Sequence, residues 1–267
     1  DSLYAPLINF FEFFAVMVVL TCVIFLIRRN VIKISRFQST EMKGWGTLDG
    51  NLILVFEIVL MIALLSMNAT DTLISKNSGE MQQFFFSGFL TPLFESYSLD
   101  QLHSIERIFW WFHIVGVFFF ANYVMYSKHL HIFLAFPNTY YASLDSKGKM
   151  SNMSTVTTEV KIMMGLQQPE NPPEEAGTFG AKDVTDLSRT ALLSAYSCTE
   201  CGRCTSSCPA NITGKKLSPR KIMMDTRHRA EELGAYKIKN GKDSHDGKML
   251  INDWVSSEEI FACTSCN

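Results

Sequence analysis

Four cysteines, Cys198, Cys201, Cys204 and Cys208, crowd into one short run, and Pro209 follows the last. This spacing is that of bacterial ferredoxins, which hold cubane iron–sulfur clusters. Three thiolates in a tight loop cap three irons of one [4Fe–4S] cube. The fourth, set just before a proline, turns away and ligates the other cluster of a pair. Gly202 lets the backbone curl around a bulky anionic cofactor without a side-chain clash. Zinc favours two separated cysteine pairs, and disulfides need an oxidising compartment. A second motif opens at Cys263-Thr264-Ser265-Cys266-Asn267. Its remaining ligands would fall beyond the last residue, so the expectation is a natural polypeptide longer than this one at both ends. The expected metal ligands are Cys198, Cys201, Cys204, Cys208, Cys263 and Cys266, and the chemistry is one-electron transfer. Cys22 lies in an apolar run and reads as a small buried filler.

A second set of candidate ligands lies in an apolar stretch, at His113, His129 and His131. Eighteen residues separate His113 from His131. On one unbroken helix that is about five turns and about 27 Å, with both rings on one face. Such a pair would each give an axial ligand to one of two stacked b-type haems, with His129 in reserve. The alternative is an interfacial His131 and a His113 hydrogen-bonded inside the bundle. Glu57 and Glu12 fall within apolar segments, where ionisable groups are costly and mark proton or substrate routes. Glu57 is the candidate for proton exchange with a quinone; pairing with a basic group on another helix is the other reading.

The elements that must position these residues divide in two. Of the 267 residues 47% are hydrophobic, concentrated in the first half, and the net charge of −2 gives no nucleic-acid footprint. Three segments, at 4–27, 52–67 and 108–126, approach the length of about 20 apolar residues needed for a membrane span. They define a transmembrane helical domain over 1–137, expected to continue helically from the third span until Pro137. Arg28, Arg29, Lys33, Arg36 and Lys43 lie between the first two spans, whereas only Lys76 lies between the next two. The positive-inside bias places the first loop in the cytoplasm, and with it everything after the third span. Phe84, Phe85, Phe86 and Phe89 form an apolar cluster in the outer loop.

A linker over 138–178 contains Pro169, Pro172 and Pro173, and a cytoplasmic iron–sulfur domain follows over 179–267. Within it, a helix over 186–196 leads into the first cysteine loop. Ser218-Pro219 starts a long helix with Gly234 as its stop. Ser256 and Glu259 form a capping box for a short helix that feeds the second motif. The fold class is therefore all-α, a transmembrane helical domain followed by an α-helical two-[4Fe–4S] ferredoxin-like domain. Lys215, Lys216, Arg220 and Lys221 lie beside the first loop and would steer an acidic partner or offset cluster charge; a solvated helix face is the plainer reading.

The stretches Phe179-Gly180, Asp183 to Asp186, Cys198 to Cys204, Cys208-Pro209-Ala210, Thr213 to Lys221 and Ala262 to Asn267 resemble those of membrane-bound iron–sulfur oxidoreductases. These are related to the C-type iron–sulfur subunit of heterodisulfide reductase and to the iron–sulfur subunits of glycolate and glycerol-3-phosphate oxidation. The apolar half is similar, more loosely, to the gamma subunit of respiratory nitrate reductase, whose last haem-ligating helix carries two histidines at the spacing of His113 and His131. The resemblance implies electron exchange with a membrane quinone and a partner carrying flavin or cysteine-rich CCG domains. The expected role is a subunit of a quinone-linked oxidoreductase in the bacterial inner membrane. The alternative is a non-catalytic assembly or redox-sensing subunit.

Overall fold

The computed structural model describes residues 3–79, 84–146, 153–166 and 180–266. The proline-rich part of the linker, Phe179 and Asn267 lie outside the described residues. The chain divides into two compact units, Asp1–Leu130 and His131–Asn267. Among the described residues there are helices and turns but no strand, so the all-α expectation holds.

The first unit is built on α1 (Tyr4–Asn30), α2 (Trp45–Asn77) and α3 (Leu99–Val124), each long and apolar enough to cross a membrane. The second helix has 33 residues rather than the short segment at 52–67. It packs against both α1 and α3. The approach to α3 is close at Gly116, where a Cβ would meet Leu60 Cδ2 at 2.5 Å. Most large apolar side chains of α1 and α3, such as Phe10, Phe14, Phe118 and Phe119, point outward, as a lipid solvent requires.

Polar side chains stitch the helices together. Glu12 of α1 is fully buried and accepts hydrogen bonds from Asn68 Nδ2 of α2 at 2.9 Å and from the backbone N–H groups of Phe86 and Ser87 at 3.0 and 3.1 Å. It therefore anchors the loop between α2 and α3 to the bundle. That loop splits its aromatic cluster: Phe84 is buried, while Phe85 and Phe89 are exposed. At the other end of α2, Asp49 accepts from the Tyr123 hydroxyl and from Lys128 N at 3.0 Å. Lys128 Nζ reaches back to the carbonyl of Gly46. These bonds fix the turn that ends α3.

The third helix does not run on to Pro137. It stops at Val124, a 3-10 turn follows over Lys128–Leu130, and α4 (His131–Tyr140) begins the second unit with Pro137 inside it. Helix α5 (Ser154–Met163) follows. Helix α6 (Arg189–Tyr196) starts later than the expected 186, because Ser188 caps it by accepting from Ala191 N at 3.2 Å. Next come the single turns α7 (Arg203–Ser206) and α8 (Pro209–Ile212), then α9 (Pro219–Asn240) and α10 (Ser257–Phe261). Ser218 and Pro219 start α9 as expected, but Gly234 lies inside it, and the stop is Gly241 at φ +104°. Leu233 explains the override: it is buried with Val184, Leu250 and Val255, and that core carries the helix past a weak residue.

Arg229 of α9 is fully buried and holds the surrounding loops. It donates to Asp183 from Nε at 2.9 Å and Nη2 at 2.7 Å, and to Asp246 from Nη1 at 2.6 Å and Nη2 at 2.9 Å. The carbonyl of Lys248 accepts a further bond. Asp183 also caps Val184 N and receives Leu250 N. Hydrogen bonds from Arg229 hold the Asp246 carboxyl down at about 2.

Candidate metal centre

The two cysteine motifs are delivered by the same local construction. A helix ends, one residue caps it, and the first cysteine follows: Tyr196, Ser197, Cys198 in one case and Phe261, Ala262, Cys263 in the other. In both, the cysteine N–H closes a turn onto the carbonyl three residues back, Ala195 at 3.3 Å and Ile260 at 3.1 Å. In both, the residue immediately before the second cysteine is left-handed, Glu200 at φ +57° and Ser265 at φ +48°. A non-glycine residue pays a steric penalty there, so the same departure at matching positions marks a shared requirement. It turns successive backbone groups and side chains toward one side of the loop. Gly202 adds a second left-handed residue, at φ +74°, between Cys201 and Cys204.

Cys208 is placed differently from its three neighbours. It caps α8, with Pro209 at the first helical position, and is buried. It shares a small core with Ala210, Leu217 and Ala262. Ala262 is the residue before Cys263, so the fold carries the fourth cysteine of the first run to the neighbourhood of the second motif. Cys198 and Cys201 are half-buried, and Cys204, Cys263 and Cys266 are exposed. Burial pushes the Cys198 thiol above its ordinary value, while the hydrogen bond from the Glu200 N–H works the other way. The backbone N–H of Glu200 points at Cys198 Sγ, 3.4 Å away. Among the described residues, no three His, Cys, Asp or Glu side chains gather around one point. Two loops of the same local shape, with Cys208 carried into a core beside the second, fit a pair of cubes.

Ion pairs clamp α9 to both loops. Arg227 binds the Glu200 carboxylate at 2.5 Å. Lys221 Nζ binds Asp225 at 2.8 Å, Glu259 at 3.0 Å and the carbonyl of Trp254 at 3.0 Å, tying α9 to the start of α10. Burial opposes the charge on Lys221, yet these two carboxylates hold it above the ordinary lysine value. The expected capping box is present: Ser256 Oγ accepts from Glu259 N, and the Glu259 carboxylate accepts from Ser256 N. The basic cluster expected to steer a partner is divided: Lys215 and Lys216 are exposed, and the other two are taken up by the fold. Arg220 is buried, Lys216 pairs with Glu258 at 2.6 Å, and Lys221 is engaged as described.

The histidine reading changes. His113 sits in α3 and His131 at the start of α4, so the unbroken helix that placed them on one face at about 27 Å does not exist. His113 Nδ1 lies 2.9 Å from the carbonyl of Leu60, which can only accept, so the ring donates there and serves packing of α3 on α2. Glu57 takes a partner from each neighbour: the Cys22 thiol donates to Oε2 at 3.0 Å, and His129 Nε2 lies 3.5 Å from Oε1. The alternatives of a basic partner for Glu57 and a hydrogen bond inside the bundle for His113 match these contacts, but the partners themselves, remote along the chain, were not named.

Comparison with known proteins agrees with the cysteine geometry. A 4Fe-4S dicluster domain model matches residues 197–267. A probable iron-sulfur-binding oxidoreductase, FadF, of Bacillus subtilis is 30% identical over 191 residues, 61% of this chain and 25% of that protein. The EtfAB:quinone oxidoreductase of Syntrophomonas wolfei is 27% identical over 258 residues, 86% of this chain and 34% of that protein. A probable membrane-anchored ferredoxin of Chromohalobacter salexigens is 24% identical over 101 residues, 33% of this chain and 15% of that protein. The chain thus spans a quarter to a third of the length of the first two relatives. No solved structure matches it. Its homologues are iron–sulfur oxidoreductases, and it shares their 4Fe-4S dicluster domain beside helices suited to a membrane.

Proposed function

We propose that this chain is the membrane-anchored relay of a quinone-linked oxidoreductase, passing single electrons between a soluble redox partner and the quinone pool. The observation that carries the reading is the duplicated cysteine loop, left-handed at the same position in both copies, with Cys208 packed against Ala262. Bound there, a [4Fe–4S] cube takes up and releases one electron at a time. Cys198, Cys201 and Cys204 would hold one cube, and Cys208, Cys263 and Cys266 the other. The loops supply the thiolates and the N–H of Glu200 toward sulfur, while α9 fixes their separation through Arg227 and Lys221. The helical unit keeps the relay at the bilayer that holds the quinone, and Glu57, bonded to Cys22 and facing His129, is the group placed to exchange a proton as quinone is reduced. The basic loop between α1 and α2 supports an orientation with the cysteine unit in the cytoplasm of a bacterial inner membrane. A relative named for quinone reduction supports quinone as one terminus; the other terminus is a flavoprotein or a CCG-domain protein. Haem is not included, since the helix geometry that motivated it is absent.

The test is anaerobic purification of the intact protein, with a count of iron and acid-labile sulfide and a dithionite titration. The expected result is two cubes that bleach on reduction by dithionite and recover their absorbance when quinone reoxidises them. Cys201→Ser should lose a cube and partner-driven quinone reduction while membrane insertion persists. Absence of iron and sulfide, or quinone reduction undiminished in Cys201→Ser, overturns the proposal.

A further inference from the structure

Helix α4 has its polarity inside out. Its half-buried residues are His131, Leu134, Pro137 and Asn138. Its exposed residues are Ile132, Phe133, Ala135, Phe136, Thr139 and Tyr140. At 100° per residue the exposed set fills one continuous arc of about 160°. Phe136 and Tyr140 are 79% and 81% exposed. Between Lys128 and Asp145 the chain carries no Asp, Glu, Lys or Arg. A helix that faces water turns charged and polar residues outward, whereas this one keeps a histidine and an asparagine on its inner side. That inner side packs on α6. Ser194 Oγ donates to Asn138 Oδ1 at 2.9 Å. Ser197 Oγ, bonded to the carbonyl of Leu193 at 2.7 Å, also lies 3.4 Å from that of Leu134. Ser197 is the residue before Cys198, so α4 is fastened to the entry of the first cysteine loop.

We infer that the outward face of α4 lies in the interfacial layer of the bilayer that α3 crosses, a second membrane contact made by the cysteine-bearing unit itself. The covalent connection limits where α4 can be. The apolar part of α3 runs from Ile108 to Val124. Its length of about 25 Å nearly matches a hydrocarbon core of about 30 Å, so the chain leaves the lipid at the end of this helix. His131 follows Val124 by seven residues, at most about 25 Å of extended chain. With only ten residues α4 cannot cross, and a helix apolar along one side that cannot cross lies in the plane of the interface. Tyr140 and Tyr141, both exposed, suit the headgroup level. A protein docked on such a face would be met by a polar rim; an uncharged run from 129 to 144 favours lipid. The inference needs α3 in the membrane and does not depend on the cluster reading. Its consequence for the relay does: through Ser197 and Asn138 the first loop is held at the surface of the bilayer in which quinone dissolves.

The experiment uses the full chain in vesicles of phosphatidylethanolamine and phosphatidylglycerol. Photoreactive p-benzoylphenylalanine replaces one residue at a time: Phe136 on α4, Phe118 on the outward side of α3, and exposed Lys242 in the turn after α9. After irradiation, mass spectrometry identifies what each position has attached to. Phospholipid adducts at Phe136 in a yield comparable with Phe118, with Lys242 at background, support the inference. A yield at Phe136 no higher than at Lys242 overturns it. So do adducts to protein alone, whether a second copy or a redox partner. Loss of lipid adducts at Phe118 as well overturns the membrane reading of α3, and the inference falls with it. Phe133, replaced in the same way, gives a second position on the same face, judged by the same outcomes. In Phe133→Asp/Phe136→Asp the photoreactive group at Tyr140 should lose its lipid adducts; their persistence would overturn the role of the apolar face.

Discussion

Removing Arg229 is the most informative test of how the second unit holds its loops. In Arg229→Met the side chain keeps its apolar stem, but Asp183 and Asp246, 6% and 9% exposed at their side chains, lose their shared cation. Breaking a buried pair by removing one partner costs about 3–5 kcal/mol. Asp183 retains the N–H groups of Val184 and Leu250, which keeps the figure from rising further. A loss of about 4 kcal/mol is about a thousandfold in the opening equilibrium. Amide hydrogen exchange across α9, at buried Met224 and Leu233, reads that equilibrium directly. Arg229→Met/Asp246→Asn, with one stranded charge neutralised, should recover at least about tenfold of the lost protection. The loss should also narrow in acid. In the wild type the folded Asp246 carboxyl is held at about 2, below its ordinary 3.8, so its contribution is full above the ordinary value and is lost as pH falls toward 2. In the variant the stranded carboxyls titrate higher and gain from protonation. Protection that falls less than tenfold, or a double variant that loses the sum of both singles, would refute the reasoning.

Two further outcomes are expected. Cys208→Ser should remove the cube shared with Cys263 and Cys266 and leave the first largely intact, so iron content falls by about half; loss of the first cube alone would show that Cys208 does not cross over. Glu12→Gln turns one acceptor oxygen into a donor facing Asn68, Phe86 N or Ser87 N, costing about 1–3 kcal/mol. Faster proteolysis within 84–94 should report it, and an unchanged cleavage rate would mean that Glu12 does not anchor the loop between α2 and α3.

Local chemistry was the legible part of the chain. The cysteine spacing, Ser218-Pro219, and Ser256 with Glu259 each act within a turn, and all can be read from neighbours. What escaped was set by partners far away in sequence. Met125 to His129 carry no proline or glycine to announce a helix end, because the stop is fixed by Asp49, 79 residues before Lys128. That break undid the histidine geometry. Gly234 looked like a terminator, but tertiary burial of Leu233 outweighed its propensity. Glu12 and Glu57 looked alike as acids in apolar helices. Glu12 is fully committed to Asn68 and the loop between α2 and α3, whereas Glu57 remains partly accessible beside Cys22 and His129. Arg229 was invisible in a polar helix that reads as solvent-facing. Its burial depends on two loops closing over it.

Because Cys208 shares a small core with Ala262, the centre proposed for Cys208 would be completed by a segment synthesised long after it. A chain still emerging from the ribosome displays bare thiols with no finished cradle. A cube held in part by Cys208 would therefore be loaded only once translation has passed the second motif. A premature stop between the two would leave Cys208 without the segment that shares its core, and its thiol open to oxygen and stray metals.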